Sequence, residues 1–273
     1  MEFATLNNGV PIPMLGSGLF RLTDQEEAAR TVRSALKNGY RHLDTAAVYK
    51  NEAAVGRGIR ESGVPREEIF LTTKVWNDRQ RTGAIREALE ESLRLLGTSY
   101  VDLYLIHWPV PGHFVNTWKT MEKLYREGLA RAVGVCNFRP EDLDALAAVS
   151  DLVPAVNQVE LHPYFQQRAL AEDCRRRGIL VESWGTFTAG QTGLLRDPLL
   201  TELGARYGKS PAQVVLRWLY QRGIVSLVKS ANPQRQTQNQ DIFDFSLTEV
   251  DMAQIASLDQ GLRLGRDPVN SDF

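Results

Sequence analysis

The feature that most constrains the fold is a regular alternation of short apolar runs with longer segments of helical periodicity. Most of the runs are continuously apolar, which is typical of parallel strands covered on both faces. Parallel strands need a crossover connection, usually a helix, between one strand and the next. The sequence therefore predicts an α/β fold with eight parallel strands at residues 15–20, 41–45, 69–75, 101–107, 130–137, 154–161, 179–184 and 224–230.

Residues that commonly begin helices lie between these runs. Asp24 is placed to cap the first helix, and Thr82 is placed at the start of a later one. Pro140 stands in the first turn of another helix, where its missing N–H costs nothing. A last helix is predicted near the C-terminus, with Ser246 and Glu249 as its capping box.

Eight strands alternating with helices match the size of a (β/α)8 TIM barrel, which has about 250 residues. We expect one domain over residues 1–273, with an N-terminal β-hairpin turning at residues 7–9, an extra C-terminal helix and an irregular tail. A doubly wound sheet is the alternative. However, the Gly-Ser-Gly at residues 16–18 lacks the third glycine of a dinucleotide fingerprint and opens no helix.

Charge, cysteine content and hydropathy exclude several classes of protein. The net charge is −1, with 32 Lys+Arg against 33 Asp+Glu and no basic cluster, so no nucleic-acid partner is expected. The two cysteines suggest no disulfide framework, and the N-terminus has no signal-peptide pattern. Since no run approaches the ~18 apolar residues of a membrane span, we expect a cytoplasmic protein with no membrane partner.

Polar residues end three neighbouring predicted strands, at the rim where such barrels carry their active sites. Asp44, Lys74 and His107 end the second, third and fourth strands, and Tyr49 lies in the loop after the second. Since adjacent strands are ~4.8 Å apart, these side chains can converge. We expect Asp44 to orient Lys74, and Lys74 to lower the pKa of Tyr49. Tyr49 would then act as a general acid toward a carbonyl oxygen that His107 orients, with hydride from a reduced cofactor.

The same residue types also occur in barrels with different roles. An Asp44–Lys74 pair alone is often a structural ion pair, and a rim lysine forms a Schiff base in some barrels. The histidines show no ligand pair at helical spacing with a third ligand, so no metal is expected. A sensor that binds the same cofactor without turnover is the alternative from a different functional class.

Six motifs resemble those of the aldo-keto reductases, and most closely those of the bacterial 2,5-diketo-D-gluconate reductase branch. They are GYRHLDTAAVYKNE (39–52), LTTKVWN (71–77), VDLYLIHWP (101–109), GVCNF (134–138), NQVELHP (157–163) and KSANPQR (229–235). The resemblance covers essentially the whole chain. It implies an NADPH-dependent, monomeric reductase of aldehydes, ketones or α-dicarbonyls in which Tyr49 is the proton donor, and it leaves keto-sugar acids open as substrates.

The resemblance also assigns residues to the cofactor. Asn137 and Gln158 would hold the nicotinamide carboxamide, and Trp184 would stack on the ring. Gly185 and Phe187 belong to a loop that would cover the pyrophosphate. The residues assigned to the 2′-phosphate and the adenine are Lys229, Ser230, Arg235, Gln238 and Asn239.

Three aromatic residues follow predicted strands on the same rim. The resemblance places Phe20, Trp76 and Trp108 in the substrate pocket, where aromatic walls suit small carbonyl compounds. One departure from the family pattern lies nearby, because Thr186 stands where a proline is usual. We expect a looser loop at that point.

Overall fold

Parallel strands form a closed barrel in a computed structural model that describes residues 2–270. The strands are β1 (Phe3–Thr5), β2 (Pro11–Pro13), β3 (Leu15–Gly18), β4 (His42–Asp44), β5 (Phe70–Val75), β6 (Leu103–Ile106), β7 (Val133–Cys136), β8 (Val156–Glu160), β9 (Leu180–Trp184) and β10 (Val225–Val228). Within the described residues, the barrel order is β10-β3-β4-β5-β6-β7-β8-β9. Each predicted run contains one of these eight strands, so the predicted (β/α)8 barrel is confirmed. Residues 1 and 271–273 of the predicted domain lie outside the described part.

The N-terminal hairpin is also confirmed. The strands β1 and β2 pair antiparallel. The side chains of Asn7 and Asn8 donate hydrogen bonds to the carbonyl oxygens of Pro154 (3.1 Å) and Arg131 (2.9 Å), which lie just before β8 and β7. Leu6 and Ile12 of the hairpin are buried in an apolar cluster with residues of five barrel strands. The hairpin therefore closes the N-terminal end of the barrel.

Helices surround the barrel. Those of the described chain are α1 (Gln25–Lys37), α2 (Glu52–Ser62), α3 (Asn77–Thr82), α4 (Ile85–Leu96), α5 (Phe114–Arg126), α6 (Pro140–Ala147), α7 (Arg168–Arg176), α8 (Pro198–Tyr207), α9 (Pro211–Gln221), α10 (Pro233–Gln240) and α11 (Glu249–Ala256). The Asp24 side chain accepts from the N–H of Glu27 and caps α1, as predicted. Pro140 begins α6, also as predicted.

Two predicted helix starts are wrong. Thr82 ends α3 instead of beginning a helix, and its hydroxyl donates back to the carbonyl of Asp78. The capping box of α11 is formed by Thr248 and Asp251 and not by Ser246 and Glu249. The Ser246 hydroxyl instead accepts a hydrogen bond from the guanidinium of Arg217 at 2.7 Å. In both places the hydroxyl that the local sequence assigned to a helix cap forms a different hydrogen bond, with the carbonyl of Asp78 or with the guanidinium of Arg217.

The inner surface of the barrel changes from apolar to polar toward its C-terminal end. Side chains two residues apart point to the same face of a strand. Asp44 at the end of β4 and Lys74 near the end of β5 contact each other inside the barrel.

Among residues 2–270, no helix combines the length and apolarity that crossing a bilayer demands.

Candidate active site

Lys74 lies among the polar side chains at the C-terminal end of the barrel. Its side chain is completely buried, and its Nζ donates to Asp44 Oδ1 at 2.7 Å and to the carbonyl of Thr45 at 2.9 Å. Burial alone would lower the pKa of Lys74, but the neighbouring Asp44 and Tyr49 raise it above its usual value. The side chain therefore stays an ammonium ion at neutral pH, and the predicted Asp44–Lys74 pair is present.

Tyr49 is positioned by a short 3-10 helix, Ala47–Tyr49, directly after β4. The Nζ of Lys74 lies 5.1 Å from the centroid of its ring. Burial raises the pKa of Tyr49 to about 12, and the charge and hydrogen bonding of Lys74 oppose that rise. Lys74 thus lowers the pKa of Tyr49, as expected, but the cost of burying a phenolate outweighs the attraction of one cation, so the pKa stays above its usual value.

His107 follows β6 and faces the phenol. Its ring centroid lies 5.7 Å from that of Tyr49, with the two rings edge to face. Burial, followed by the charge of Lys74, holds the pKa of His107 well below its usual range. The imidazole is thus neutral, and its buried Nδ1 has no hydrogen-bond partner within residues 2–270. The structure brings together all four residues that sequence analysis placed on this rim.

Aromatic side chains surround the four polar residues. The ring of Phe20 lies 5.0 Å from that of Tyr49, and the ring of Trp76 lies 5.0 Å from that of His107. Phe20 is about half exposed, at 53%. Trp108 directly follows His107 and is nearly buried. Phe20 therefore forms a solvent-exposed aromatic wall beside Tyr49, and the half-buried Trp76 packs against His107.

Asn137, Gln158 and Trp184 extend the site across the barrel mouth. The Nδ2 of Asn137 donates to the carbonyl of His107 at 3.1 Å, and its Oδ1 accepts from Trp184 Nε1 at 3.0 Å. The Nε2 of Gln158 donates to Asp44 Oδ2 at 2.9 Å. Each predicted carboxamide residue is therefore tied directly to a member of the predicted catalytic set.

Comparison with known proteins shows the family of this chain. The model of the aldo/keto reductase family matches residues 14–260. The chain belongs to this family. It is 50% identical to the 9,11-endoperoxide prostaglandin H2 reductase of Trypanosoma cruzi, over 97% of this chain and 94% of that protein. It is 46% identical to the glyoxal reductase of Bacillus subtilis, over 96% of this chain and 95% of that protein.

Solved structures agree with the family assignment. The chain is similar to an aldo-keto reductase of Bombyx mori in complex with NADP, with a TM-score of 0.93 and 38% identity. The similarity covers 100% of this chain and 97% of that one. The predicted family and the prediction of an enzyme are confirmed. Residues 2–270 contain no group of three or more His, Cys, Asp or Glu side chains that could hold a metal ion.

The residues that the family resemblance assigns to the adenosine lie after β10. Lys229 directly follows this strand, and Arg235 is in the first turn of α10, whose N-cap is Asn232. Both cationic side chains are exposed. Ser230 is half-buried and its hydroxyl accepts from the N–H of Asn232. Farther along α10, Gln238 is exposed whereas Asn239 is buried.

The loop after β9 begins with Gly185, Thr186 and Phe187. Gly185 has a left-handed backbone, with φ of 67°, which favours glycine there, and Phe187 is half-buried. Thr186 is buried, and its hydroxyl donates to the carbonyl of Leu227 at 3.0 Å and pairs with the Ser183 hydroxyl at 3.0 Å. These hydrogen bonds connect Thr186 to β9 and β10, and the looser loop expected from the missing proline stays a prediction.

Glu182, which the sequence motifs did not reveal as a site residue, is a fully buried carboxyl group inside the barrel. Its Oε2 accepts from Gln158 Nε2 at 2.6 Å, so one amide group joins it to Asp44. Strand alternation provided a signal for it. Glu182 stands two residues before Trp184 on β9, and both therefore point to the same face.

The irregular C-terminal tail is attached to the barrel by contacts that were not predicted from the sequence. The carboxylate of Glu160 accepts from the N–H groups of Leu264 (2.7 Å) and Gly265 (2.8 Å), and from His162 Nε2 (3.2 Å). Burial alone would raise the pKa of Glu160, but these hydrogen bonds lower it. Gly265 packs against the indole of Trp184. The tail is therefore fixed beside the ring that is predicted to stack on the cofactor.

Proposed function

We propose that the protein reduces aldehydes, ketones or α-dicarbonyls to alcohols with NADPH, and that Tyr49 is the proton donor. One observation carries this proposal: Asp44, Tyr49, Lys74 and His107 converge at the C-terminal mouth of the barrel, with Lys74 held by Asp44 at 2.7 Å. A neutral phenol, a buried cation and a neutral imidazole are together suited to protonating a carbonyl oxygen.

Each of these side chains has a distinct role in the proposed reaction. Tyr49 is protonated at neutral pH because burial raises its pKa to about 12. Lys74 stabilises the phenolate that remains after the proton has moved to the substrate oxygen. His107 is neutral, and an unpartnered Nδ1 favours the tautomer in which Nε2 carries the hydrogen and donates it to the carbonyl oxygen.

The residues at the mouth fit a nicotinamide carboxamide, which offers one carbonyl acceptor and one amino donor. Asn137 uses one N–H and its Oδ1 within the protein, so its second N–H would donate to the carboxamide. Gln158 donates through its Nε2 to the carboxyl groups of Asp44 and Glu182, so its Oε1 would accept from the carboxamide. The indole of Trp184 would stack on the nicotinamide ring. When bound there, NADPH supplies the hydride.

Preference for NADPH over NADH rests on Lys229 and Arg235. These two exposed cations flank the start of α10. NADPH carries a 2′-phosphate that NADH lacks, and cationic side chains bind phosphate groups favourably. The test is the ratio of kcat/KM for the two cofactors. An equal or higher kcat/KM with NADH would contradict this preference.

The substrate class follows from the aromatic mouth and from one relative. Phe20 packs against Tyr49 and Trp76 packs against His107, and such an aromatic lining suits small carbonyl compounds. A relative 46% identical to this chain is named a glyoxal reductase. We also propose a likeness to the 2,5-diketo-D-gluconate reductase branch, with keto-sugar acids as further substrates. The protein is proposed to be a cytoplasmic monomer with a single domain over residues 1–273.

The experiment is NADPH consumption with methylglyoxal and phenylglyoxal. The Tyr49→Phe variant should lose ~10²- to 10⁴-fold in kcat while still binding NADPH, because only the transferred proton is removed. Tyr100→Phe is the matched control, since Tyr100 stacks with Arg66 before β6, at the opposite end of the barrel. Full activity of Tyr49→Phe would refute the proton-donor role. NADPH binding by the wild-type protein without turnover of any carbonyl would favour the sensor alternative.

A further inference from the structure

Glu182 is a buried acid that the proposed proton transfer does not use. Its side chain has no solvent exposure, and its two oxygens differ in environment. Oε2 accepts from Gln158 Nε2 at 2.6 Å, whereas Oε1 has no hydrogen-bond partner in the described part of the chain. A buried carboxylate normally has several donors around it. The single donor here is typical of a carboxyl group that keeps its proton.

The charges around Glu182 lead to the same conclusion. From β4, Asp44 shares the Gln158 amide, and His42 Nε2 lies 3.6 Å from Glu182 Oε1. From β5, Lys74 supplies the cation nearby, and it is already paired with Asp44. From β7, the buried Cys136 carries no charge, since burial keeps its pKa well above its usual value.

His42 does not compensate a charge on Glu182. Burial lowers the pKa of His42 to about 3, so its imidazole is neutral. An ionised Glu182 would therefore leave one net negative charge in the interior, because Lys74 balances only Asp44. Burial first, and then Asp44, raise the pKa of Glu182 to about 8, against the opposing effects of Gln158 and Lys74.

This arrangement connects the acid to the proposed cofactor site. Gln158 is the residue that would accept from the nicotinamide carboxamide, and its amide nitrogen is shared between Asp44 and Glu182. The oxidised nicotinamide ring carries one positive charge more than the reduced ring. A negative charge on Glu182 therefore attracts the oxidised form and has little effect on the reduced form.

We propose that Glu182 is a positioning residue that orients Gln158 while it carries a proton, and that its ionisation strengthens binding of the oxidised cofactor relative to the reduced one. This inference rests on the proposed function. The only bond that breaks is the O–H bond of the carboxyl group, and the proton passes to the solvent. The enzyme would then favour carbonyl reduction at neutral pH and alcohol oxidation at alkaline pH.

The first experiment tests the proton on Glu182 without any cofactor. Infrared spectra of the wild-type protein minus those of Glu182→Gln should show a protonated-carboxyl C=O band at pH 6.5 that disappears with a midpoint near the pKa of Glu182, about 8. Glu52→Gln is the matched control. Glu52 is also a buried acid, but its carboxyl group accepts from the hydroxyl of Thr73, whereas that of Glu182 accepts from Gln158. Absence of the band at pH 6.5 would overturn the proposal.

The second experiment measures the dissociation constants of NADP+ and NADPH from pH 6.5 to 9.5 by quenching of tryptophan fluorescence. In the wild-type protein, the affinity for NADP+ relative to NADPH should rise through the pKa of Glu182. The rise is about tenfold for each unit by which NADP+ shifts that pKa. Glu182→Gln should show no such rise, whereas Glu52→Gln should match the wild-type protein.

Calorimetry of the wild-type protein decides the matter even if Glu182→Gln does not fold. Titrations near pH 8 in two buffers of different ionisation enthalpy should show proton release with NADP+ and less with NADPH. Equal proton release with both cofactors would overturn the coupling and leave the proposed function intact. Failure of the wild-type protein to bind either cofactor would overturn the proposed function as well.

Discussion

Replacement of Gly265 by alanine tests whether the tail positions Trp184. An added Cβ would lie 2.3 Å from Trp184 Cη2 and 2.8 Å from Glu160 Oε2. The first distance is ~1.2–1.7 Å shorter than a normal carbon–carbon contact. The tail cannot simply retreat, because the N–H groups of Leu264 and Gly265 are bonded to the Glu160 carboxylate. Such charge-assisted bonds are each worth ~1.5–3 kcal/mol, so we expect the indole to move instead.

A displacement of ~1 Å in a group that positions reactants can reduce the rate ~10²-fold. We therefore expect Gly265→Ala to lose ~10- to 100-fold in kcat/KM with NADPH and methylglyoxal, and to show altered quenching of tryptophan fluorescence by NADPH. Gly193→Ala is the matched control, because an added Cβ meets nothing within 4 Å there and the backbone φ of Gly193 is −81°. Wild-type kcat/KM and quenching in Gly265→Ala would refute the argument that this contact fixes Trp184.

Three further variants test the interior. Lys74→Met should lower the free energy of unfolding by ~3–5 kcal/mol in urea titrations, because it leaves Asp44 buried without its cation; a loss below about 1 kcal/mol would contradict this. Gly56→Ala should cost ~1–3 kcal/mol by calorimetry, since its Cβ would lie 2.3 Å from the carbonyl oxygen of Leu96 and force α2 away from α4; an unchanged melting temperature would show that the helices separate freely. The pKa of Glu182 is raised from 4.5 to about 8, so between these pH values the folded protein holds a proton that the unfolded chain releases. The free energy of unfolding should therefore fall by up to ~1.4 kcal/mol for each unit by which the pH rises from 4.5 to 8. Glu182→Gln should remove that contribution. If the free energy of unfolding changed with pH in the same way in both proteins, the raised pKa of Glu182 would be contradicted.

The barrel and its four central polar residues could be predicted from the sequence for a physical reason. A strand covered on both faces must be apolar along its length, so a charged residue near its C-terminal end stands out. Lys74 near the end of β5 and Asp44 at the end of β4 are such residues. The closed order of the strands then brings them together.

The sequence did not predict features that depend on distant partners. Nothing local distinguishes Ser246, which pairs with Arg217, from Thr248, which caps α11. Glu160 holds backbone groups about 100 residues further along the chain, and no sequence spacing encodes that contact. The net pKa of Tyr49 also depends on burial, which becomes known only when the packing around the phenol is known.

The hairpin at the N-terminal end of the barrel has a practical consequence for handling the protein. Asn7 and Asn8 hold it against the loops before β8 and β7, opposite the mouth that contains Tyr49 and His107. An affinity tag, surface tether or fusion partner joined before Glu2 would therefore leave the mouth unobstructed. The tail, by contrast, passes directly beside Trp184 at Gly265. Immobilisation for repeated use of the enzyme should accordingly be made through the N-terminus.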